Sequence, residues 1–112
     1  MACQLAGLGR VLVAVPGVLA QVVIPPYVSP PTVHAILIEA LPGNTGRVYV
    51  GVQGLVRATF ANCLAVLPIP TANMIPTFSI TVTEAANGVA LSSFYFDADV
   101  AGEGVMISAI IV

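Results

Sequence analysis

Few side chains in this 112-residue chain belong to the types that perform chemistry. The chain has one histidine, His34, two cysteines, Cys3 and Cys63, and no lysine. Because a nucleophile needs a base beside it, nucleophilic catalysis would have to combine His34 with one of the two cysteines. His34 lies within an apolar run, which is typical of a packed, hydrogen-bonded strand residue. We therefore predict that the protein is not an enzyme and has no catalytic residue.

The acidic cluster of the sequence consists of Asp97 and Asp99, followed by Glu103. Two aspartates at this spacing share one face of a strand, and in a loop they could converge on a hard cation such as calcium. A calcium loop has more oxygen donors at tighter spacing, so we interpret these acids as turn residues that face solvent or cap backbone amides of the loop. Residues 102–104 (GEG) precede a predicted strand rather than a helix, which argues against a phosphate-binding loop. We predict no metal and no cofactor.

The arginines are too few and too scattered to form a basic stripe, so we predict no binding to nucleic acid. Arg47 and Arg57 lie in or beside apolar strands, where a buried guanidinium needs a carboxylate or carbonyl partner. Glu39, across a predicted hairpin, is the expected partner of Arg47. A contact with another protein at the rim of an interface is the functional alternative.

Short β-strands must position these residues, because nine prolines and ten glycines are spread along the chain. Apolar and alternating runs separated by turn residues predict an all-β fold, an antiparallel β-sandwich or small jelly-roll-like barrel with an extended N-terminal arm. The turn signal at 41–46 predicts a hairpin between the strands at 32–40 and 47–51, and Asn87-Gly88 predicts another. The predicted strands are residues 11–15, 18–24, 32–40, 47–51, 54–59, 62–67, 77–83, 89–96 and 105–112.

The two ends of the chain are unusually apolar. Residues 1–31 are predicted to form an apolar arm and a stiff connector with four prolines, and residues 32–112 the β-sandwich domain. The arm either packs on a neighbouring subunit or fills the sandwich of its own chain. The C-terminal strand has almost no polar residue, so we expect both of its faces to be buried, and we favour burial within its own domain.

The charge content is the most unusual feature of the composition. Charged residues make up 7% of the chain and hydrophobic residues 58%, whereas an ordinary domain has roughly 25% charged residues. A free monomer normally covers itself with charge, so we expect copies of the chain, a larger assembly or a membrane to cover much of this surface. The residues predicted at an oligomer or assembly interface are Leu8, Arg10, Leu12, Val13, Val15, Val18, Tyr27 and Arg57.

A membrane or an exported protein is the alternative explanation of the high hydropathy. The longest apolar run, residues 11–24, is interrupted by Pro16-Gly17 and is shorter than the ~20 residues of a spanning helix, so we predict no membrane insertion. Arg10, residues 11–19 and Ala20 imitate a signal peptide, but the proline and glycine break its apolar core. The cysteine spacing indicates no disulfide framework, and we expect two free thiols; cleavage after Ala20 would remove Cys3.

Two segments resemble a family of small structural proteins from tailed bacteriophages. Residues 44–51 (NTGRVYVG) resemble the family's hairpin segment, and residues 94–100 (FYFDADV) with 102–105 (GEGV) resemble its closing strands. The strict similarity covers about a fifth of the chain, and the N-terminal arm and proline connector lie outside it. The resemblance implies a β-sandwich and a virion component.

The most specific expectation from this resemblance is a capsid decoration, or cement, protein. Such a protein sits as a homotrimer on the outside of the capsid, binds the major capsid protein and ties neighbouring capsomers together, after assembly in the host cytoplasm. Because it binds the assembled lattice and not free subunits, it stabilises the shell by mass action. A neck, tail or head-fibre component is the alternative within the same family.

Overall fold

The computed structural model describes residues 4–22, 32–81 and 89–111. These residues form eight β-strands and one short 3-10 helix, Leu91–Ser93. Within these ranges no helix is long and apolar enough to cross a membrane. The strands are β1 (Gln4–Val13), β2 (Thr32–Ala40), β3 (Val48–Val56), β4 (Ala61–Leu67), β5 (Thr77–Thr81), β6 (Val89–Ala90), β7 (Tyr95–Ala98) and β8 (Glu103–Ile111).

The strands form two antiparallel sheets, which confirms the predicted β-sandwich. The first sheet has the order β1-β8-β2-β5, and β6 pairs with β2 on the same side as β5. The second sheet has the order β4-β3-β7. Every pairing between these strands is antiparallel.

The core lies between the two sheets and follows from the two-residue period of a strand. In β8, Val105, Ile107 and Ala109 face inward and are buried, whereas Met106 faces outward. The buried core contains Leu8, Val11, Val13, Ile36, Ile38, Ala40, Val48, Val50, Leu67, Phe94, Phe96, Ala98, Val105, Ile107 and Ala109.

The predicted hairpin between residues 32–40 and 47–51 is wrong. β2 pairs with β5, β6 and β8, while β3 pairs with β4 and β7, so residues 41–46 pass from one sheet to the other. Asn44 fixes this corner, because its buried side-chain Nδ2 donates to the carbonyl oxygen of Gly104, 2.8 Å away. The crossing lets the apolar faces of β2 and β3 pack against each other instead of lying side by side in one sheet.

The N-terminal segment belongs to the sandwich of its own chain. β1 pairs with β8 along its length, and its residues Val11 and Val13 are in the core. The strand predicted at 11–15 is therefore β1, which begins at Gln4 and ends at Val13. The predicted domain boundary between residues 31 and 32 would place β1 outside the sandwich, although β1 is a strand of its first sheet. After β1, residues 14–22 cross to the second sheet, where Ala20 and Phe96 exchange two backbone hydrogen bonds of 2.9 Å. The predicted connector at 25–31 lies outside the described residues.

Other strand predictions hold in part. β8 lies in the interior of the first sheet, within its own domain as we favoured. Only one of its faces is buried, since Met106 on the other face is 45% exposed. The predicted strand at 89–96 is divided into β6, the 3-10 helix and β7, and the predicted strand at 54–59 is the end of β3 and a turn. The Asn87-Gly88 turn lies outside the described residues.

Candidate functional site: a charge cluster and the surfaces around it

The β3–β4 hairpin folds back over the outer face of the second sheet. Gly54 and Asn62 have positive φ angles of 88° and 56°, and the Asn62 side-chain amide donates to the Gly54 carbonyl oxygen at 3.1 Å. A side chain at Gly51 would collide with the backbone oxygen of Asn62, so glycine is required at this bend. The fold-back places the Phe60 ring 6.2 Å from the Tyr49 ring and buries Tyr49.

Arg57, in the turn of this hairpin, joins two aspartates. Its Nε lies 3.7 Å from Oδ2 of Asp97, and its Nη1 lies 3.2 Å from Oδ1 of Asp99. Asp97 is only 2% exposed, and its Oδ1 also accepts hydrogen bonds from the backbone N–H groups of Gly17 and Ala98. This buried carboxylate thus has an arginine beside Oδ2 and two hydrogen-bond donors to Oδ1.

Asp99 extends the cluster toward the end of the sheet. Its Oδ2 is 3.2 Å from Nε of Arg47, and its Oδ1 accepts a 3.1 Å hydrogen bond from the Tyr49 hydroxyl. Burial alone would raise the pKa of Asp99, but hydrogen bonds from Tyr49, Arg47 and Arg57 outweigh burial and lower this pKa. Burial and the hydrogen bond to Asp99 raise the pKa of the Tyr49 phenol. We call Arg47, Tyr49, Arg57, Asp97 and Asp99 the charge cluster.

Glu103 closes the neighbouring loop. Its carboxylate accepts hydrogen bonds from the backbone N–H groups of Thr45 and Gly46, at 2.7 and 2.9 Å, and from the Thr45 hydroxyl at 2.8 Å. Partial desolvation opposes ionisation, but these donors lower the pKa of Glu103 below its ordinary value. Glu103 thus caps backbone amides, but they belong to the loop at 41–46 and not, as predicted, to the loop of the acidic cluster itself.

Of two other sequence predictions about these charges, one holds in part and one is wrong. Asp97 does not face solvent, because the fold-back of the hairpin covers it, although its Oδ1 does cap the backbone N–H groups of Gly17 and Ala98. Arg47 pairs with Asp99 and not with Glu39, because β3 is a neighbour of β7 and lies in a different sheet from Glu39.

The charge cluster is suited to holding the fold together rather than to chemistry. Two arginines balance two aspartates, and the Arg57 guanidinium lies between the carboxylates where a cation would have to bind. Within the described residues, no group of three or more His, Cys, Asp or Glu side chains could hold a metal ion. The described side chains also include no buried polar atom that lacks a hydrogen-bond partner.

The two segments that carry the phage resemblance contact each other. Asn44 bonds to Gly104, the loop after Asn44 bonds to Glu103, and both Arg47 and Tyr49 bond to Asp99. Their strands also pair directly, with Tyr49 opposite Asp97. The two segments therefore form one structural unit at a corner of the sandwich.

The predicted interface residues fall into three groups. Leu8 and Val13 are buried in the core of their own chain, so they form no exposed surface. Arg57 belongs to the charge cluster, and Tyr27 lies outside the described residues. The remaining predicted residues are exposed, namely Arg10, Leu12, Val15 and Val18.

Of the outer face of the first sheet, only Arg10 and Leu12 on β1 were among the predicted interface residues. Leu37 on β2 and Met106 on β8 are 37% and 45% exposed. The same face has an uncharged depression of about 430 Å³, lined by Gly7, Ala35, Leu37, Ser79, Thr81, Ser108 and Ile110 together with the inward-facing Ile36 and Ala109. Alternation of inward and outward residues in β2 and β8 was the signal that could have identified this face.

Of the two candidate nucleophiles, Cys3 lies outside the described residues, and Cys63 is not in a strand next to that of His34. His34 is the half-buried extra residue of a bulge in β2, where the pairing with β8 passes from Val33 to Ala35. Cys63 is in β4, in the other sheet, and its thiol donates to the carbonyl oxygens of Val50 and Ala65 at 3.6 and 3.4 Å.

Searches with the sequence and the structure against protein-family models, curated proteins and solved structures gave no match.

Proposed function

We propose that this protein is a non-enzymatic structural protein of a tailed-phage virion, which binds the outside of the capsid as an oligomer and cements neighbouring capsomers. Its partners are then further copies of the chain and the major capsid protein. The corner formed by residues 44–51 and 94–105 supports the phage assignment, since both segments resemble that family.

The distribution of charge is the observation that carries the assembly role. The chain has eight charged residues in total, three basic and five acidic. Four of them are in the charge cluster and Glu103 holds a loop, so Arg10 and Glu39 are the charges of the described residues that enter no such contact. Glu84 lies outside the described residues.

Exposed apolar side chains take the place of the missing surface charge. Twelve large hydrophobic residues of the described part are exposed, among them Val18 at 64% and Met74 at 67%. Such a surface favours association. Many weak contacts repeated over a shell would give tight binding without a large single interface.

A neck, tail or head-fibre component is the second candidate, because the resemblance supports any small virion protein. Copy number separates the two candidates. A cement protein is present in proportion to the capsomers of the shell, whereas a neck or fibre component is present in a few copies per particle.

The test mixes the purified protein with assembled shells of the same phage that lack it, and measures the copies that sediment with each shell. We expect saturable binding in proportion to capsomers, and only a weak salt dependence because few charges are available. Val18→Glu should weaken binding, since Val18 is exposed and belongs to the predicted interface. Ile69→Glu is the matched control, because Ile69 is exposed at 51% but lies outside the predicted set. Absence of binding by the unmodified protein would contradict the proposal.

A further inference from the structure

The outer face of the first sheet has two charges arranged around one apolar residue. In the sheet register, Arg10 on β1 and Glu39 on β2 are both opposite Met106 on β8. Neighbouring strands are about 4.8 Å apart, so the Cα atoms of Arg10 and Glu39 lie roughly 10 Å from each other, with Met106 between them. Neither side chain forms an ion pair with another described residue.

A bulge in β1 gives Arg10 this position. The pairing with β8 passes from Gly7 opposite Ser108 to Gly9 opposite Ile107, so Leu8 is the extra residue and points into the core. Gly9 has a φ of 81°, which favours glycine, and a bulge of this kind reverses the alternation that follows it. Without the bulge, Arg10 would face the core.

The next row of the same face has an open space on β1 and a protruding side chain on β2. Gly7, Ser108 and Leu37 lie side by side on β1, β8 and β2. Nothing lies within 4 Å of the position that a side chain at Gly7 would occupy, whereas Leu37 protrudes and is 37% exposed. As in the charged row, the residues on β1 and β2 complement each other across β8.

We propose that a second copy of this chain docks on the outer face of the first sheet, face to face, about a twofold axis that runs along β8. Such an axis exchanges the positions of β1 and β2 between the copies. Arg10 of each copy then meets Glu39 of the other, and Leu37 of each copy enters the gap above Gly7 of the other. Residues of β8, such as Met106 and Ser108, face their own counterparts, as a self-complementary twofold interface requires.

The dimensions of the face fit a weak contact. Packed sheets lie about 10 Å apart, a gap that an arginine and a glutamate side chain can bridge together. The two rows extend over four strands, roughly 15 Å across, and lie about 7 Å apart along the strands, so they cover much less than the ~800 Å² per partner of a standard interface. The pair should therefore form at high protein concentration, or where an assembly brings copies together.

Charge exchange tests this arrangement. Arg10→Glu places four negative groups in the pair, and Glu39→Arg places four positive groups there, so each variant should raise the dissociation constant for self-association at least about tenfold at low salt. An equimolar mixture of the two variants restores both ion pairs, so the mixed pair should form more tightly than either variant alone. Analytical ultracentrifugation over a concentration series measures all four samples, and melting curves verify that each variant is folded. The proposal would be overturned if all four samples had the same dissociation constant, or if none of them self-associated. It would also be overturned if the mixture associated no more tightly than either variant alone.

Crosslinking tests the position of the axis. With Cys3 and Cys63 changed to Ser, Ser108→Cys should give dimers with a short bismaleimide, because residue 108 faces its own counterpart. Ser79→Cys is the matched control, since Ser79 is in the same row on β5. It lies two strands from the axis, so its counterpart is displaced by about 19 Å across the strands, in addition to the ~10 Å between the two sheets. Equal dimer yields from the two variants would contradict a twofold axis along β8.

The pair contact goes beyond the proposed function, and the two can fail separately. If the protein binds no shell, the exchange variants still report on self-association. The phage resemblance implies a trimer. If the protein forms a trimer whose stability neither charge change alters, the twofold contact is contradicted but the proposed capsid role is not.

Discussion

On the outer face of the second sheet, Tyr49 and Asp97 are 1% and 2% exposed, whereas on the outer face of the first sheet Leu37 and Met106 are 37% and 45% exposed. The second sheet is covered by the hairpin and turn of its own chain, which carry Arg57 and Gly17 onto it. The first sheet has no such cover among the described residues. The comparison shows that four of the eight charged residues close one face, whereas the described residues leave the other face uncovered, with Arg10, Glu39 and exposed apolar side chains on it.

The two faces also differ in what substitutions should do. A buried charge pair is strongly destabilised when one partner is removed, because the other charge is left uncompensated. A half-exposed apolar side chain contributes little to folding but can contribute to association. Changes to the second sheet should therefore alter stability, and changes to the outer face of the first sheet should alter self-association.

The largest effect is expected where β1 joins the first sheet. A side chain at Gly104 would overlap the backbone carbonyl oxygen of Val11, so Gly104→Ala should force β1 away from β8 and lower the free energy of unfolding by about 3 kcal/mol. Urea unfolding measures the change. Gly43→Ala is the control, since nothing lies within 4 Å of its added methyl group. Equal stability of the two variants would show that β1 is not held against β8.

The next largest effect concerns the covered face of the second sheet. Arg57→Met removes the arginine beside buried Asp97 and should lower the free energy of unfolding by about 2 kcal/mol, because the Arg57 side chain is itself partly exposed. Arg47→Met is the matched control, because the Arg47 side chain is 50% exposed and its pair should contribute only about 0.5 kcal/mol. Thermal and urea unfolding of both variants provide the comparison, and a larger loss in Arg47→Met would reverse our ranking of the two pairs.

Acid should weaken the same corner. Asp99 and Glu103 have pKa values below the ordinary 3.8 and 4.5, so their contribution to stability is present above those values and is lost as the pH falls through the lowered ones. We expect the melting temperature to fall on acidification below about pH 4. The double variant Asp99→Asn with Glu103→Gln should lose less stability between neutral and acidic pH than the unmodified protein does. A double variant with the same acid slope as the unmodified protein would exclude these two carboxylates as the cause.

At alkaline pH, the contribution of Tyr49 to stability is lost as the pH rises, opposite to that of the two carboxylates. The pKa of Tyr49 is raised above its ordinary value of 10.0, so the contribution of the protonated phenol is complete below that value and is lost as the pH rises through the raised one. Tyr49→Phe should remove this alkaline dependence. Absorbance titration of the phenols, with the variant as reference, measures it, and an ordinary titration of Tyr49 would contradict the burial and hydrogen bond described above.

The smallest effect on stability is expected on the open face of the first sheet. Met106→Gln should change the free energy of unfolding by only about 0.5 kcal/mol, because Met106 is half exposed, yet it should weaken self-association. Met74→Gln is the control, since Met74 is 67% exposed and lies off this face, in the loop between β4 and β5. If both variants self-associate like the unmodified protein, Met106 is not at the contact.

The sequence predicted those parts of the fold that depend on local pattern. The alternating run at residues 77–83 predicted a strand, and its described part, residues 77–81, is β5. The run at residues 32–40 became β2 without a change of bounds. In each case the deciding information is the two-residue period of a strand, which is contained in a few adjacent residues.

The remaining features depend on which strands become neighbours. A turn such as residues 41–46 suits a hairpin or a crossing between sheets, and only the pairing of β2 with β8 decides between them. The charge cluster had no local signal, because Arg57 reaches Asp97 and Asp99 across about forty positions of the chain. The apolar N-terminal segment likewise required knowledge of β8 to be placed in the sandwich of its own chain.

The central claim is that the charge-poor surface of this sandwich is a contact surface. Its most direct test is the mass of the purified protein by light scattering over a concentration series, with and without assembled shells. We predict a mass above that of one 112-residue chain at high concentration, and co-sedimentation with the shells. A protein that stays a single chain at every concentration and does not bind the shells would contradict the claim.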